Sequence, residues 1–205
     1  MVKKKKLKQP NSRLIFWTVK YLIIGLGNPG DEYKNTRHNI GYTVLDTLAK
    51  KSSTSFSDKR YGFVADIKHR GKTMILVKPT TFMNLSGKAV DYYIKKEKVP
   101  VEKTLIVVDD IALPFGSIRI RNKGGSAGHN GLEHIEYTLG TNVYNRLRFG
   151  IGNDFNKGGQ VDYVLGEWTE EEKLLLPARI ELAIEAILSF PILGIERTMN
   201  FYNNK

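Results

Sequence analysis

Two strand-like runs, residues 63–67 and 73–77, flank the turn-forming His69-Arg70-Gly71-Lys72. This hairpin signature constrains the fold more than any other feature, because strands joined by so short a turn run antiparallel. Elsewhere, strand patterns are interleaved with helical ones. Residues 21–26 and 104–108 are apolar runs of the buried-strand kind, and residues 117–121 and 146–151 add two more. Ile40, Val44, Leu45 and Leu48 form a helical stripe, and residues 86–96 and 132–139 also read as helices. Thr169 with Glu172 makes a capping box that opens a C-terminal helical region, which Pro177 is expected to kink or restart. Interleaving of this kind predicts an α/β protein, and the hairpin excludes a purely parallel sheet.

At 205 residues the chain is most simply one domain. It has no cysteine, which excludes disulfides and thiolate metal sites. No apolar run approaches the roughly 18–20 residues that span a bilayer. The net charge is +11, but residues 1–20 hold seven bases and no acid, so the body carries only +4. Residues 1–18 are therefore expected to be an appended or disordered basic tail, with the folded domain spanning residues 19–205. In the body, bases cluster at Arg119, Arg121 and Lys123 and again at Arg146 and Arg148, which suits a polyanionic partner.

Gly25-Leu26-Gly27-Asn28-Pro29-Gly30 satisfies the dinucleotide fingerprint after a predicted strand. Two features argue against a nucleotide role. Pro29-Gly30 and the polar residues 31–35 favour an extended loop where the fingerprint requires immediate entry into a helix, and Asp46 sits inside a helical stripe. The glycines instead let a loop turn sharply ahead of Thr36-Arg37-His38-Asn39. His38 is the side chain whose ordinary pKa suits general-base work near neutral pH. Neither a cysteine nor a serine in an elbow pattern offers a covalent nucleophile, so activation of water is the first expectation. Three further loops at predicted strand ends carry polar groups: residues 78–87, 109–114 and 124–132. Strand ends are where α/β proteins assemble sites.

Together these segments closely resemble the bacterial-type peptidyl-tRNA hydrolases over about residues 19–203. The resemblance rests on GLGNPGDEYKNTRHNIG at 25–41, KPTTFMNLSG at 78–87, GGSAGHNGL at 124–132, RLRFGIG at 146–152 and DYVLG at 162–166. It implies a single-domain α/β/α globule with a mixed, twisted central sheet, monomeric, cytoplasmic, and working without metal or cofactor. The implied reaction is cleavage of the ester between a peptide and the terminal ribose of tRNA. His38 would be the general base and Asp109 its orienting carboxylate. Asn28 would contact the peptide beside the ester, and Asn84 and Asn130 would hydrogen-bond substrate or the attacking water. Tyr33 and Phe82 would pack on the terminal nucleotide or peptide, and His129 would belong to the cleft wall. Arg121 and Arg148 match the family's tRNA-clamping positions. The family loop often reads D-x-x-D-L-P, whereas this chain has Ala112 at the second acid, leaving open whether Asp110 shares the orienting role. Residues 154–159 are expected to be a flap over the cleft, and His134 a solvated helix residue. The competing expectation is a non-catalytic RNA-binding relative of the same fold.

Overall fold

The computed structural model describes residues 19–203, so the expected basic tail at 1–18 lies outside the described residues. The chain runs β1 (Lys20–Gly25), α1 (Ile40–Lys51), β2 (Ser57–Lys59), β3 (Gly62–His69), β4 (Lys72–Pro79), α2 (Ser86–Glu97) and β5 (Thr104–Asp110). It continues through β6 (Ile118–Arg121), α3 (Asn130–Leu139), β7 (Asn145–Gly150), α4 (Gln160–Leu165), α5 (Glu170–Leu193) and α6 (Ile195–Tyr202). The strands form one mixed sheet in the order β2-β3-β4-β1-β5-β7-β6. β4, β1, β5 and β7 are parallel to one another, while β2, β3 and β6 run antiparallel to their neighbours. The hairpin forms as expected: His69 pairs with Lys72, and Arg70 and Gly71 both take positive φ, 44° and 77°. That conformation gives a two-residue loop whose twist matches the strands.

Alternation along the buried strands sorts their side chains into two cores. Ile23, Leu105, Val107 and Leu147 pack with α1 and α5, while Leu22, Ile24, Ile106 and Val108 pack with α2 and α3. The result is three layers, helices on both faces of the sheet. α5 runs through Pro177 as one continuous helix, so the restart that was one of the two expected outcomes does not occur. Pro177 is exposed, so the carbonyl it leaves unbonded faces solvent. The short β2, α4 and α6 are not among the elements expected from the sequence.

The first turn of α1 lies unusually close to the sheet. A Cβ on Gly41 would stand 2.5 Å from the backbone N of Leu26 and 2.6 Å from the carbonyl O of Val107. One on Gly25 would stand 2.2 Å from the carbonyl O of Gly41. Only glycines permit this approach, and it brings the residues just before α1 down beside the end of β5.

Candidate active site

The carboxyl ends of β1, β4 and β5, with the amino end of α3, surround a cavity of about 440 Å³. Asn28, His38, Phe82, Asn84, His129 and Asn130 line it, as does Asp109. Seven of the ten expected site residues therefore meet in one place, drawn from four separate segments.

His38 sits in a 3-10 turn (Arg37–Asn39) leading into α1. Its Nδ1 lies 3.0 and 2.9 Å from the two Asp109 carboxylate oxygens. Asp109, the penultimate residue of β5, is only 3% exposed. His129, the N-cap of α3, approaches the same carboxylate from the other side, with Nε2 3.0 Å from Oδ1. His129 Nδ1 accepts the backbone N–H groups of Gly131 and Leu132 at 3.1 and 3.3 Å. Its proton therefore resides on Nε2 and is donated to Asp109. His38 likewise donates from Nδ1, which leaves the lone pair of Nε2 free.

Electrostatics follow from this packing. Burial works against a charge on Asp109, but the two imidazoles outweigh it and hold the carboxyl well below the usual range. Burial also disfavours protonated His38, yet the Asp109 charge and hydrogen bond prevail and raise its pKa above the ordinary 6.5. The ligand-capable atoms of His38, Asp109 and His129 lie within 4.8 Å of one another. Their 2.9–3.0 Å separations from the carboxylate are those of two N–H···O hydrogen bonds.

Asn28 is held from two directions. Its side-chain Oδ1 accepts the backbone N–H of Met83 at 2.7 Å, which fixes the orientation of the amide. Its backbone N–H donates to Asn39 Oδ1 at 2.8 Å, and Asn39 Nδ2 donates back to the Asn28 carbonyl at 2.9 Å. Among the described residues Asn28 Nδ2 has no acceptor, so this donor is left for a ligand in the cavity that Asn28 lines. Asn39, 1% exposed, went unnoticed in the sequence because an asparagine at a helix start looks like an ordinary cap.

The remaining expectations divide. Phe82, 54% exposed, stands at the cavity rim, but Tyr33 is not among the lining residues. Tyr33 lies in a 3-10 turn (Asp31–Tyr33), where its backbone carbonyl accepts from Thr36. Residues 154–159 contribute nothing to the lining; the wall there is α4, through Gln160, Val161, Val164 and Leu165. Asp110 does not share the orienting role. One of its oxygens accepts the Ala112 N–H at 2.8 Å and the other pairs with Arg148 Nε. His134, expected to be solvated, is half-buried, and its Nδ1 accepts the Gly87 N–H at 3.0 Å, which ties α3 to α2.

Arg121 and Arg148 line a smaller cavity of about 210 Å³ that shares Asp110, Ser126, Ala127 and Leu132 with the first. Arg119 and Arg121 stand opposite Arg148 and Arg146 across the β6–β7 pair. Arg146 is spent inside the protein. It is 2% exposed, and its guanidinium donates to the carbonyls of Gly124, Gly125 and Asn142. It thereby shapes the glycine loop that leads to His129.

Comparison with known proteins agrees with this site. Residues 22–205 match the sequence signature of the family described as Peptidyl-tRNA hydrolase. The chain is 58% identical to the peptidyl-tRNA hydrolase of Phocaeicola vulgatus over 187 residues, 91% of this chain and all of that one. It is 57% identical to that of Bacteroides fragilis over the same shares. The crystal structure of peptidyl-tRNA hydrolase from Acinetobacter baumannii superposes with a TM-score of 0.83 at 34% identity, covering 91% of this chain and 95% of that one. A buried imidazole–carboxylate pair opening on an asparagine-lined cavity thus sits on a fold with named counterparts, and the chain belongs to the peptidyl-tRNA hydrolase family.

Proposed function

We propose that the protein hydrolyses the ester between a peptide, or an N-blocked aminoacyl group, and the terminal ribose of tRNA. The observation that carries this reading is His38 Nδ1 at 2.9 Å from a buried Asp109 carboxylate, with the ring at the wall of an open cavity. In this scheme His38 Nε2 takes a proton from a water molecule as its oxygen attacks the ester carbonyl carbon. The negative charge passes to the carbonyl oxygen and, as the intermediate collapses, the C–O bond to the ribose breaks. The imidazolium returns its proton to the departing ribose oxygen. Asp109 stays ionised throughout and stabilises the imidazolium.

Asn28 Nδ2 supplies a donor to the peptide beside the ester, because its oxygen is already committed to Met83. That contact discriminates blocked from free aminoacyl groups. Asn84 and Asn130 hydrogen-bond the attacking water or the developing oxyanion, a role in which a single donor typically matters about 10²–10³-fold. Phe82 at the rim offers a face to the terminal base or to the peptide. Arg121 and Arg148 meet phosphates of the acceptor end. The tRNA substrate places the reaction in the cytoplasm. Neither metal nor cofactor enters the scheme, and one copy of the chain supplies every named group, so a monomer suffices. Among the described residues no helix is long and apolar enough to cross a membrane. The intact histidine–carboxylate pair favours catalysis over a non-catalytic RNA-binding role.

The test is cleavage of N-acetyl-aminoacyl-tRNA by the wild type and by His38→Ala. Turnover by the first and a loss on the order of 10²–10⁴-fold in kcat for the second are expected. Undiminished turnover by His38→Ala would overturn the assignment of the base.

A further inference from the structure

The wall formed by α4 has an unusual support. Four of its six residues line the cavity, yet none of the six is buried. So short a helix does not hold itself in place. Its position is set by what it is tied to. Tyr163 and Val164 pack partly against the core, Tyr163 Oη donates to the Ile151 carbonyl at 2.6 Å, and the remaining polar ties converge on Arg37.

The backbone N–H of Arg37 donates to the Gly166 carbonyl at 3.0 Å. Its Nη1 donates to the Glu167 carbonyl at 2.6 Å and, less closely, to that of Tyr163 at 3.4 Å. Its Nη2 pairs with Glu172 Oε2 at 2.7 Å, the oxygen that also accepts the Thr169 N–H in the capping box of α5. The guanidinium carbon lies 4.4 Å from the centre of the Tyr163 ring and 5.5 Å from that of Trp168. One side chain therefore grips the end of α4, an aromatic ring on its body and the cap of the next helix.

From these contacts we infer that Arg37 is a positioning residue that fixes the α4 wall relative to His38, its neighbour in the chain, and so sets how the acyl group is held. This rests on the ester-hydrolase reading of the cavity. The energetics favour geometry over mere stabilisation. The Arg37 side chain is only 7% exposed, and among the described residues its Nε finds no partner. A buried ion pair with an orphaned donor is a poor stabiliser: apolar residues in place of both partners would hold the junction about as well, although removing Arg37 alone would strand the Glu172 carboxylate. What only a planar, multiply donating fork supplies is a fixed direction. The wall it directs presents Val161, Val164 and Leu165, an apolar surface suited to the side chain of the esterified residue.

The experiment uses the full chain with Arg37→Gln, Arg37→Lys and Glu172→Gln. N-acetyl-phenylalanyl-tRNA and N-acetyl-glycyl-tRNA serve as substrates, and hydrogen exchange is followed over residues 153–167. Arg37→Gln should raise KM for the phenylalanyl substrate about fivefold or more and for the glycyl substrate much less, with kcat within about twofold. The acid limb of its pH profile should not move, because His38 and Asp109 are untouched. Amides of α4 should exchange faster while those of β1 and β5 do not, and Arg37→Lys should lie between wild type and Arg37→Gln. Equal loss on both substrates with α4 exchange unchanged would overturn the inference. So would failure of all three variants to fold, which would make Arg37 a general stabiliser. If the wild type cleaves neither substrate, the hydrolase reading fails, while the exchange measurement still reports whether Arg37 holds α4.

Discussion

The two sides of the cavity are built on opposite principles. On the sheet side, His38, Asp109, Asn28 and Asn39 are each less than 10% exposed, and their polar atoms interlock. On the α4 side no residue is buried; Tyr163 and Val164 only partly pack against the core, and the polar ties run through one arginine and one tyrosine. The difference matches two different tasks. Proton transfer needs donor and acceptor held to a fraction of an ångström, which a close-packed interior provides. Accommodating acyl groups of varied size needs a surface that yields, and a helix without a core of its own yields at low cost.

Breaking the rigid side should give the largest effects. Asp109→Asn removes the acceptor that holds the proton on His38 Nδ1, and an amide donating there would force the proton onto Nε2. A fall in kcat of about 10²-fold or more is expected. The pH profile should change with a definite sign. A general base works only when neutral, so kcat/KM in the wild type should rise with pH through the raised pKa of His38, with its midpoint above 6.5. In Asp109→Asn the burial that disfavours the charged ring remains and the carboxylate that outweighs it is gone. The midpoint should therefore fall below that of the wild type, as measured in pH–rate profiles on N-acetyl-aminoacyl-tRNA. An unmoved midpoint would mean that Asp109 does not set the basicity of His38.

A smaller effect on the same side comes from Asn39→Ala. The change strips two hydrogen bonds from the backbone of Asn28 and leaves buried groups unpaired, at a cost of roughly 1–3 kcal/mol each at most. Denaturant unfolding should show lower stability, and kcat/KM should fall about tenfold as Asn28 loses its fixed orientation. The acid limb should stay in place, since the imidazole–carboxylate pair is intact. A shifted limb would show that the clamp reaches His38 as well.

How much of this was legible in the sequence depended on whether a residue's role was written locally. The core strands announced themselves by apolar runs, and the hairpin by its turn, because each is a property of a few adjacent residues. His38, Asp109, Asn28 and Asn84 stood out through motifs at strand ends. Arg37 and Arg146 did not, because a charge argues for the surface, and their burial depends on partners outside their own motifs: Glu172 for one, and for the other the Gly124 and Gly125 carbonyls, 22 and 21 residues back, together with that of Asn142. Helix α4 was invisible for a related reason. Val161, Val164 and Leu165 do fall at helical spacing, but a stripe of three residues in six is too short to mark a helix, and the glycine-containing residues 154–159 beside it looked the better flap. That Tyr33 stands outside the cavity lining was not legible, because the resemblance carries a residue's identity but not its place relative to the cavity.

The weakest effects belong to the basic cavity, where charge rather than packing does the work and salt can undo it. Arg121 is exposed, so Arg121→Ala should raise KM a few-fold at low ionic strength, lower the salt slope of binding by about one, and lose its effect at high salt. Arg148→Ala removes a similar charge, but it also strands Asp110, whose carboxylate stands between the two cavities. An unpaired carboxylate there would repel an incoming phosphate, so Arg148→Ala should raise KM more than Arg121→Ala. Adding Asp110→Asn to Arg148→Ala should recover the excess and leave only the salt-dependent part. If the double variant is no better than Arg148→Ala alone, Arg148 acts through its own contact with the substrate, and the ion pair with Asp110 is incidental to binding.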